Sequence, residues 1–340
     1  MGDEGHIKTS FDLEEGRVVD EVRRRRARVV GVQLPEGLKR HASALASLIE
    51  GQTGAVVVVS ADPCYGACDL AEEAFAPLGV ELVVHYGHDE LGEVERRIPT
   101  VFVEARARLD PEAALRAAVP LLPKGGRVGL LATAQHREAL GAARSALEAA
   151  GMTPVVGQGG RRLAFPGQVL GCDLSAARAV GGQVDAFLVL GGGNFHAAGV
   201  ALATGRPVVV ADVETGTAGR ADGARDATLR ARAAAIARAR DARTFGILVG
   251  SKPGQRRWEL ALRLREQLLA AGKAPVLLSV RELAPERMLA LGLDAYVSTA
   301  CPRIAVDDQA AYPRPMLTPQ EVRIALGLER WEDYRLDEIG

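Results

Sequence analysis

The chain has 340 residues, with 42 lysines and arginines against 43 aspartates and glutamates, a formal net charge of −1, 48% hydrophobic and 25% charged residues. That is the balance of a globular protein long enough for two or three domains with cores of their own. It leaves no basic field to hold nucleic acid or an anionic membrane nonspecifically. No apolar run reaches the length of a membrane span, and the polar, acidic start MGDEGHIKTSFDLEEG is unlike a secretory leader. A cytoplasmic setting is therefore expected, where cysteines are reduced, metal-bound or catalytic more often than disulfide-paired.

In chain order, FDLEEGRVVDEVRRRR (11–26) predicts a first helix with its acids early and its arginines late, as the helix dipole favours. Apolar runs then alternate with Ala/Leu/Arg-rich segments three times over. The first third offers strands RVVGVQ, AVVVVSA, ELVVHYG and TVFVEA, and the second RVGLLAT, TPVVGQ, DAFLVLG and PVVVADV. The last third offers TFGILVG, APVLLSV and DAYVSTA, with a weaker fourth near Pro315–Thr318. Nearly continuous Val/Leu runs, rather than strict alternation, indicate strands buried on both faces of parallel sheets. GAARSALEAAGM and RWELALRLREQLLAAGK have helical spacing and end in Gly, as crossover helices do. The expected fold is α/β, three similar Rossmann-like domains with small parallel sheets flanked by helices around a central site. Their expected limits are 1–105 with the N-terminal helix, 106–218, and 219–340 opening on a connecting helix within Gly219–Arg243.

Chemistry concentrates in the loops after strands. Cys64 and Cys68 follow AVVVVSADP, Cys172 follows FPGQVLG and Cys301 follows DAYVSTA, so each third brings a thiol to a strand end, where α/β proteins place ligands. Three thiolates can hold an iron–sulfur cluster and leave one iron without a protein ligand. YGACD, LGCD and ACPR are turns of small residues that let a backbone approach a bulky group. Against this, a free cysteine often serves as a small buried hydrophobe. Position 71, two residues beyond Cys64-x-x-x-Cys68, is Ala71, so the compact three-cysteine motif of ordinary radical enzymes is absent. No nearby pair completes a zinc knuckle either. On residue chemistry alone, ligation and structural burial stand level. His85 and His88 in HYGH could ligate zinc but lack evident third and fourth partners, and His196 follows a glycine loop, Gly191-Gly192-Gly193-Asn194, that does not fit the dinucleotide fingerprint. Lys252, in GSKPGQ, reads either as a solvated charge or as a clamp for a carboxylate, and Asp307-Asp308 reads either as a cap or as a partner for an amine.

QLPEGLKRHA, SADPCYGACDLA, HYGHDEL, GQVLGCD, GSKPGQ and STACPRIAVDD together resemble the archaeal 2-(3-amino-3-carboxypropyl)histidine synthase family, which opens diphthamide biosynthesis, over about residues 28–326. The resemblance implies a homodimeric transferase of three α/β domains holding a 4Fe–4S cluster on Cys68, Cys172 and Cys301, with Cys64 outside the matching position. It also implies S-adenosylmethionine as co-substrate, cleaved reductively to a 3-amino-3-carboxypropyl radical that adds to C2 of a histidine in translation elongation factor 2 and leaves methylthioadenosine. The electron donor is not indicated. Glu36, Gly37, Lys252, Gln255 and Asp307 are the candidates for contacting the aminocarboxypropyl end of the co-substrate, and no catalytic residue is assigned beyond the cluster. A quinolinate synthase-like iron–sulfur enzyme and a non-enzymatic α/β binding protein are the alternatives.

Overall fold

The valine-rich runs form the sheets that the sequence predicts, in a computed structural model that describes residues 7–92, 94–193 and 195–339. The first sheet is built from β2 (Val29–Gln33), β3 (Val56–Val59), β4 (Leu82–Tyr86) and β5 (Thr100–Val103), all parallel in the order β3-β2-β4-β5. The second contains β7 (Arg127–Ala132), β8 (Thr153–Val155), β9 (Ala186–Leu190) and β10 (Val208–Asp212), with β11 (Thr217–Arg220) antiparallel at its edge, in the order β11-β10-β9-β7-β8. The third takes β12 (Thr244–Gly250), β13 (Ala274–Val280), β14 (Ala295–Ser298) and β15 (Met316–Leu317) in the order β13-β12-β14-β15. In every sheet the first strand lies between the second and the third. The repeat is thus one of topology, although the three strand–loop segments share few residues.

This order sets the position of the site. Strands that leave the first strand on opposite sides open a crevice at their carboxyl ends, where loops can receive a ligand. The central strands are sealed on both faces, Leu82, Val83 and Val84 being fully buried, so the polar groups at their ends are what the crevices contain.

Two departures from the sequence-based expectation concern where helices begin. The first helix does not begin at Phe11. Phe11–Asp12 is β1, paired antiparallel with β6 (Arg106–Ala107), and the helix runs Glu15–Arg25. The Asp12 carboxylate accepts the Glu14 N–H at 3.2 Å and Glu14 sits at φ 47, a side-chain turn of the kind aspartate favours over helix. Likewise Gly219 belongs to β11 and the connecting helix starts only at Asp222, ending at Arg240. That helix carries Arg232, which is wholly buried. Its guanidinium donates to Glu321 Oε1 (2.7 Å) and Oε2, and to the carbonyls of Ala305 and Met316. Arginine's planar fork can satisfy such a set of acceptors, which makes the burial tolerable.

Glu321 also completes a capping box with Thr318 at the start of helix Pro319–Ala325. Thr318→Ala removes the acceptor for one buried N–H and is expected to lower stability by about 1 kcal/mol, read as a lower denaturant midpoint without loss of helical signal.

Candidate metal centre

Gln33 at the end of β2 organises the first cysteine loop. Its amide nitrogen donates to the Asp69 carbonyl at 2.6 Å, and its oxygen accepts the Ala71 N–H at 3.1 Å. One side chain therefore staples the segment that directly follows Cys68. The same oxygen lies 3.0 Å from Nδ1 of His85, at the end of β4. Glycine meets the loop from the third sheet: the Gly254 N–H donates to the Cys68 carbonyl at 3.1 Å, and Gln255 Nε2 donates to Cys68 Sγ at 3.3 Å. Lys252 is nearly buried, 2.7 Å from Asp69 and 2.6 Å from Glu282, with its ammonium 4.9 Å from the centre of the Tyr65 ring.

Cys172 and Cys301 are brought together by different means. The Arg303 guanidinium, two residues after Cys301, lies 4.3 Å from the centre of the Phe195 ring. Both side chains close on Gly171, where a Cβ would come within 2.4 Å of Phe195 and 3.2 Å of Arg303, so glycine before Cys172 is what admits them. The C-terminal segment binds the two loops from behind. Ile339 N–H donates to the Cys172 carbonyl at 2.9 Å, and Arg257 bridges Asp337 at 2.6 Å and the Thr299 carbonyl at 2.7 Å.

The three sulfurs feel one another. Burial pushes the Cys172 thiol up to about 12 and Cys301 to about 11, and Cys68 adds to both shifts. Burial raises Cys68 as well, although Gln255 and Arg162 oppose it. A metal would thus have to displace protons on binding. Each of these three cysteines is only half-buried, whereas Cys64 is buried. Two thiolates on one tetrahedral zinc lie about 3.8 Å apart. Among the described residues, Cys68, Cys172 and Cys301 do not form a triad with all sulfurs within 4.8 Å. At least one pair of them is thus farther apart than two ligands of one zinc, which is compatible with a polynuclear cluster whose irons each take one thiolate.

The other candidate residues divide. Lys252 and Gln255 touch the Cys68 loop, and the lysine is buried in an ion pair where the sequence left a solvated charge open. Glu36 is exposed and paired with Lys39 at 2.6 Å, and a side chain on Gly37 would meet nothing within 4 Å. Asp307 pairs with Arg303 at 2.7 Å. His196 lies beside Phe195 in the helix Phe195–Thr204, and Asn194 is outside the described residues. Sequence reasoning missed Gln33, Asp69, Arg257 and Arg303. Of these only Gln33 carried a signal, as a polar residue closing an otherwise apolar strand.

Comparison with known proteins gives concordant matches. Residues 34–335 match the family of diphthamide synthesis proteins. The chain is 36% identical over 329 residues to the 2-(3-amino-3-carboxypropyl)histidine synthase of Pyrococcus horikoshii, covering 96% of this chain and 94% of that one. It is 30% identical over 339 residues to subunit 1 of the human 2-(3-amino-3-carboxypropyl)histidine synthase, covering 97% and 76%. Its fold superposes on a crystal structure of Dph2 from Pyrococcus horikoshii with a 4Fe-4S cluster at a TM-score of 0.88 and 34% identity, covering 96% of this chain and 94% of that one.

Proposed function

This chain belongs to the diphthamide synthesis protein family, and on that premise we propose that it transfers a 3-amino-3-carboxypropyl group to a histidine imidazole. The observation that carries the proposal is the meeting of cysteine loops from three separate sheets, Gly254 and Gln255 on Cys68 and Arg303 on Gly171 before Cys172. Family membership also weighs against the quinolinate synthase-like and non-enzymatic readings.

In this reading the three cysteines hold a 4Fe–4S cluster. Bound there, the cluster would supply one electron for cleaving S-adenosylmethionine between sulfur and the aminocarboxypropyl carbon, releasing methylthioadenosine; the radical would add to C2 of a histidine in elongation factor 2, and loss of the C2 proton with return of one electron to the oxidised cluster would restore the imidazole. The chain's own residues bind and orient. Gln255, donating to Cys68 Sγ, tempers the charge on that sulfur. Lys252 keeps Asp69 and Glu282 together beside the loop, and either acidic group can accept from the co-substrate's amine. A cavity of about 420 Å³ adjoins this face, with Gln33, Pro63 and Ala71 on one side and Arg281 and Glu282 on the other. It offers a cation and an anion to a zwitterionic amino-acid end. The half-buried setting of the three cysteines leaves room for a protein loop to reach the centre. A homodimer working in the cytoplasm completes the proposal.

Reduced protein incubated with elongation factor 2 and S-adenosylmethionine labelled at its carboxyl carbon should move label onto the factor and release one methylthioadenosine per transfer. An unlabelled factor with no methylthioadenosine formed would overturn the reading.

A further inference from the structure

Cys64 lies outside the three-cysteine centre, yet its surroundings are unlike those of a filler in a core. Its sulfur is 4.0 Å from His85 Nε2, and that nitrogen is 3.0 Å from His88 Nδ1. Among the described residues, these three form a group whose ligand atoms all lie within 4.8 Å of one another. A tetrahedral zinc holds two nitrogens about 3.4 Å apart, and a nitrogen and a sulfur about 3.6 Å apart. These two separations depart from a coordination shell by about 0.4 Å, and the third, between Cys64 and His88, lies within 4.8 Å.

The hydrogen bonds also set the tautomer that a ligand requires. The Ala71 N–H can only donate, so the Gln33 atom that receives it is the amide oxygen, and the Gln33 nitrogen correspondingly donates to the Asp69 carbonyl. His85 Nδ1, 3.0 Å from that oxygen, must then carry its proton and donate. This leaves His85 Nε2 as an acceptor facing Cys64 and His88; without an ion the His88 Nδ1–H donates to it at 3.0 Å, and a bound ion would take the place of that proton. A histidine whose far nitrogen is held by an amide or carboxylate while the near one is free is the arrangement found behind metal-ligating imidazoles. Burial and Asp69 push the Cys64 thiol up to about 12, opposed in part by the Gly66 N–H, so a bound ion must displace its proton. Cys64 and His85 are buried and His88 is half-buried, so an ion could enter from the His88 side.

We propose that Cys64, His85 and His88 form a second metal site, separate from the three-cysteine centre, that takes a zinc-class divalent cation. One thiolate and two imidazoles make a borderline-soft donor set suited to zinc, with the fourth position open to water. The site lies on the same loop as Cys68 and joins it to the end of β4. A bound ion would hold that loop in place whether or not the cluster is present.

The test uses the full chain, loaded anaerobically with its iron, exposed to Zn²⁺ alone and desalted over a weak chelator, with zinc and iron counted by mass spectrometry. About one zinc per chain is expected beyond the iron, falling at least about tenfold in Cys64→Ser and in His88→Ala. Iron content and circular dichroism should be unchanged in both. His88→Cys, which restores a donor, should keep the zinc. In Co²⁺-loaded, iron-free protein the thiolate-to-cobalt band should weaken in Cys64→Ser. A wild-type chain that retains no zinc overturns the proposal, as does zinc that survives both substitutions. Zinc lost only with Cys68, Cys172 and Cys301 would place the ion in the cluster site and overturn it equally. None of these readouts depends on transfer activity, so failure here leaves the transferase reading untouched.

Discussion

Alanine at Cys68, Cys172 or Cys301 is expected to bleach the protein and reduce aminocarboxypropyl transfer to background, with each single change costing about as much as all three together. The three thiols come from three different sheets, so none can replace another, and Cys64, which shares a loop with Cys68, is buried against His85. A cluster held by two thiolates also exposes a second iron to water and oxygen. Residues that act as a unit are strongly non-additive, because once the unit fails there is nothing further to remove. Cys64→Ala is the counterpart. Cys64 is buried against His85, and its loss should leave iron, sulfide and transfer near the wild-type level. Iron and sulfide quantification after anaerobic purification, followed by label transfer, measures both halves. If Cys64→Ala removes the iron and Cys68→Ala keeps it, the ligand within the Cys64-x-x-x-Cys68 pair has been assigned to the wrong residue.

That assignment shows where the sequence was readable. The sheets were legible because strands buried on both faces leave an unbroken apolar trace, as in Val56–Val59 and Leu82–Tyr86. The two-residue strand Phe11–Asp12 left no trace, since its partner Arg106–Ala107 is far away in the chain and a side-chain turn decides where the helix begins. The cysteine loops were visible as motifs, but the contacts that organise them were not. Gln33 reaches Asp69, Ala71 and His85 from another strand, and Arg257 reaches Asp337 across 80 residues. Lys252 shows the limit most sharply. A lysine after a strand reads as a solvated charge, and only the fold reveals that Asp69 and Glu282 both reach it. A buried cation paired on two sides is tolerable where a lone one is not, and no local pattern encodes its partners.

Gly254→Ala should produce a large loss of cluster and transfer without unfolding the chain. A Cβ on Gly254 would lie 2.5 Å from Cys68 Cβ and 2.6 Å from Cys68 Cα. Those atoms are not the free end of a flexible side chain, so the methyl group can be accommodated only by moving one loop away from the other. The Gly254 N–H bond to the Cys68 carbonyl and the Gln255 contact with its sulfur would both stretch. Cys68 is the thiol that the first sheet contributes, so the displacement falls on a ligand rather than on the core. A shift of about 1 Å at a reacting centre can cost on the order of a hundredfold in rate, and a decrease of that order in label transfer is expected, with iron content also reduced. Gly51→Ala is the control, since a side chain there meets nothing within 4 Å, and it should behave as wild type. Full iron and undiminished transfer in Gly254→Ala would mean that the third sheet does not position Cys68. The close approach of the two loops would then be only packing, and the centre would depend on the first sheet alone to place its thiol.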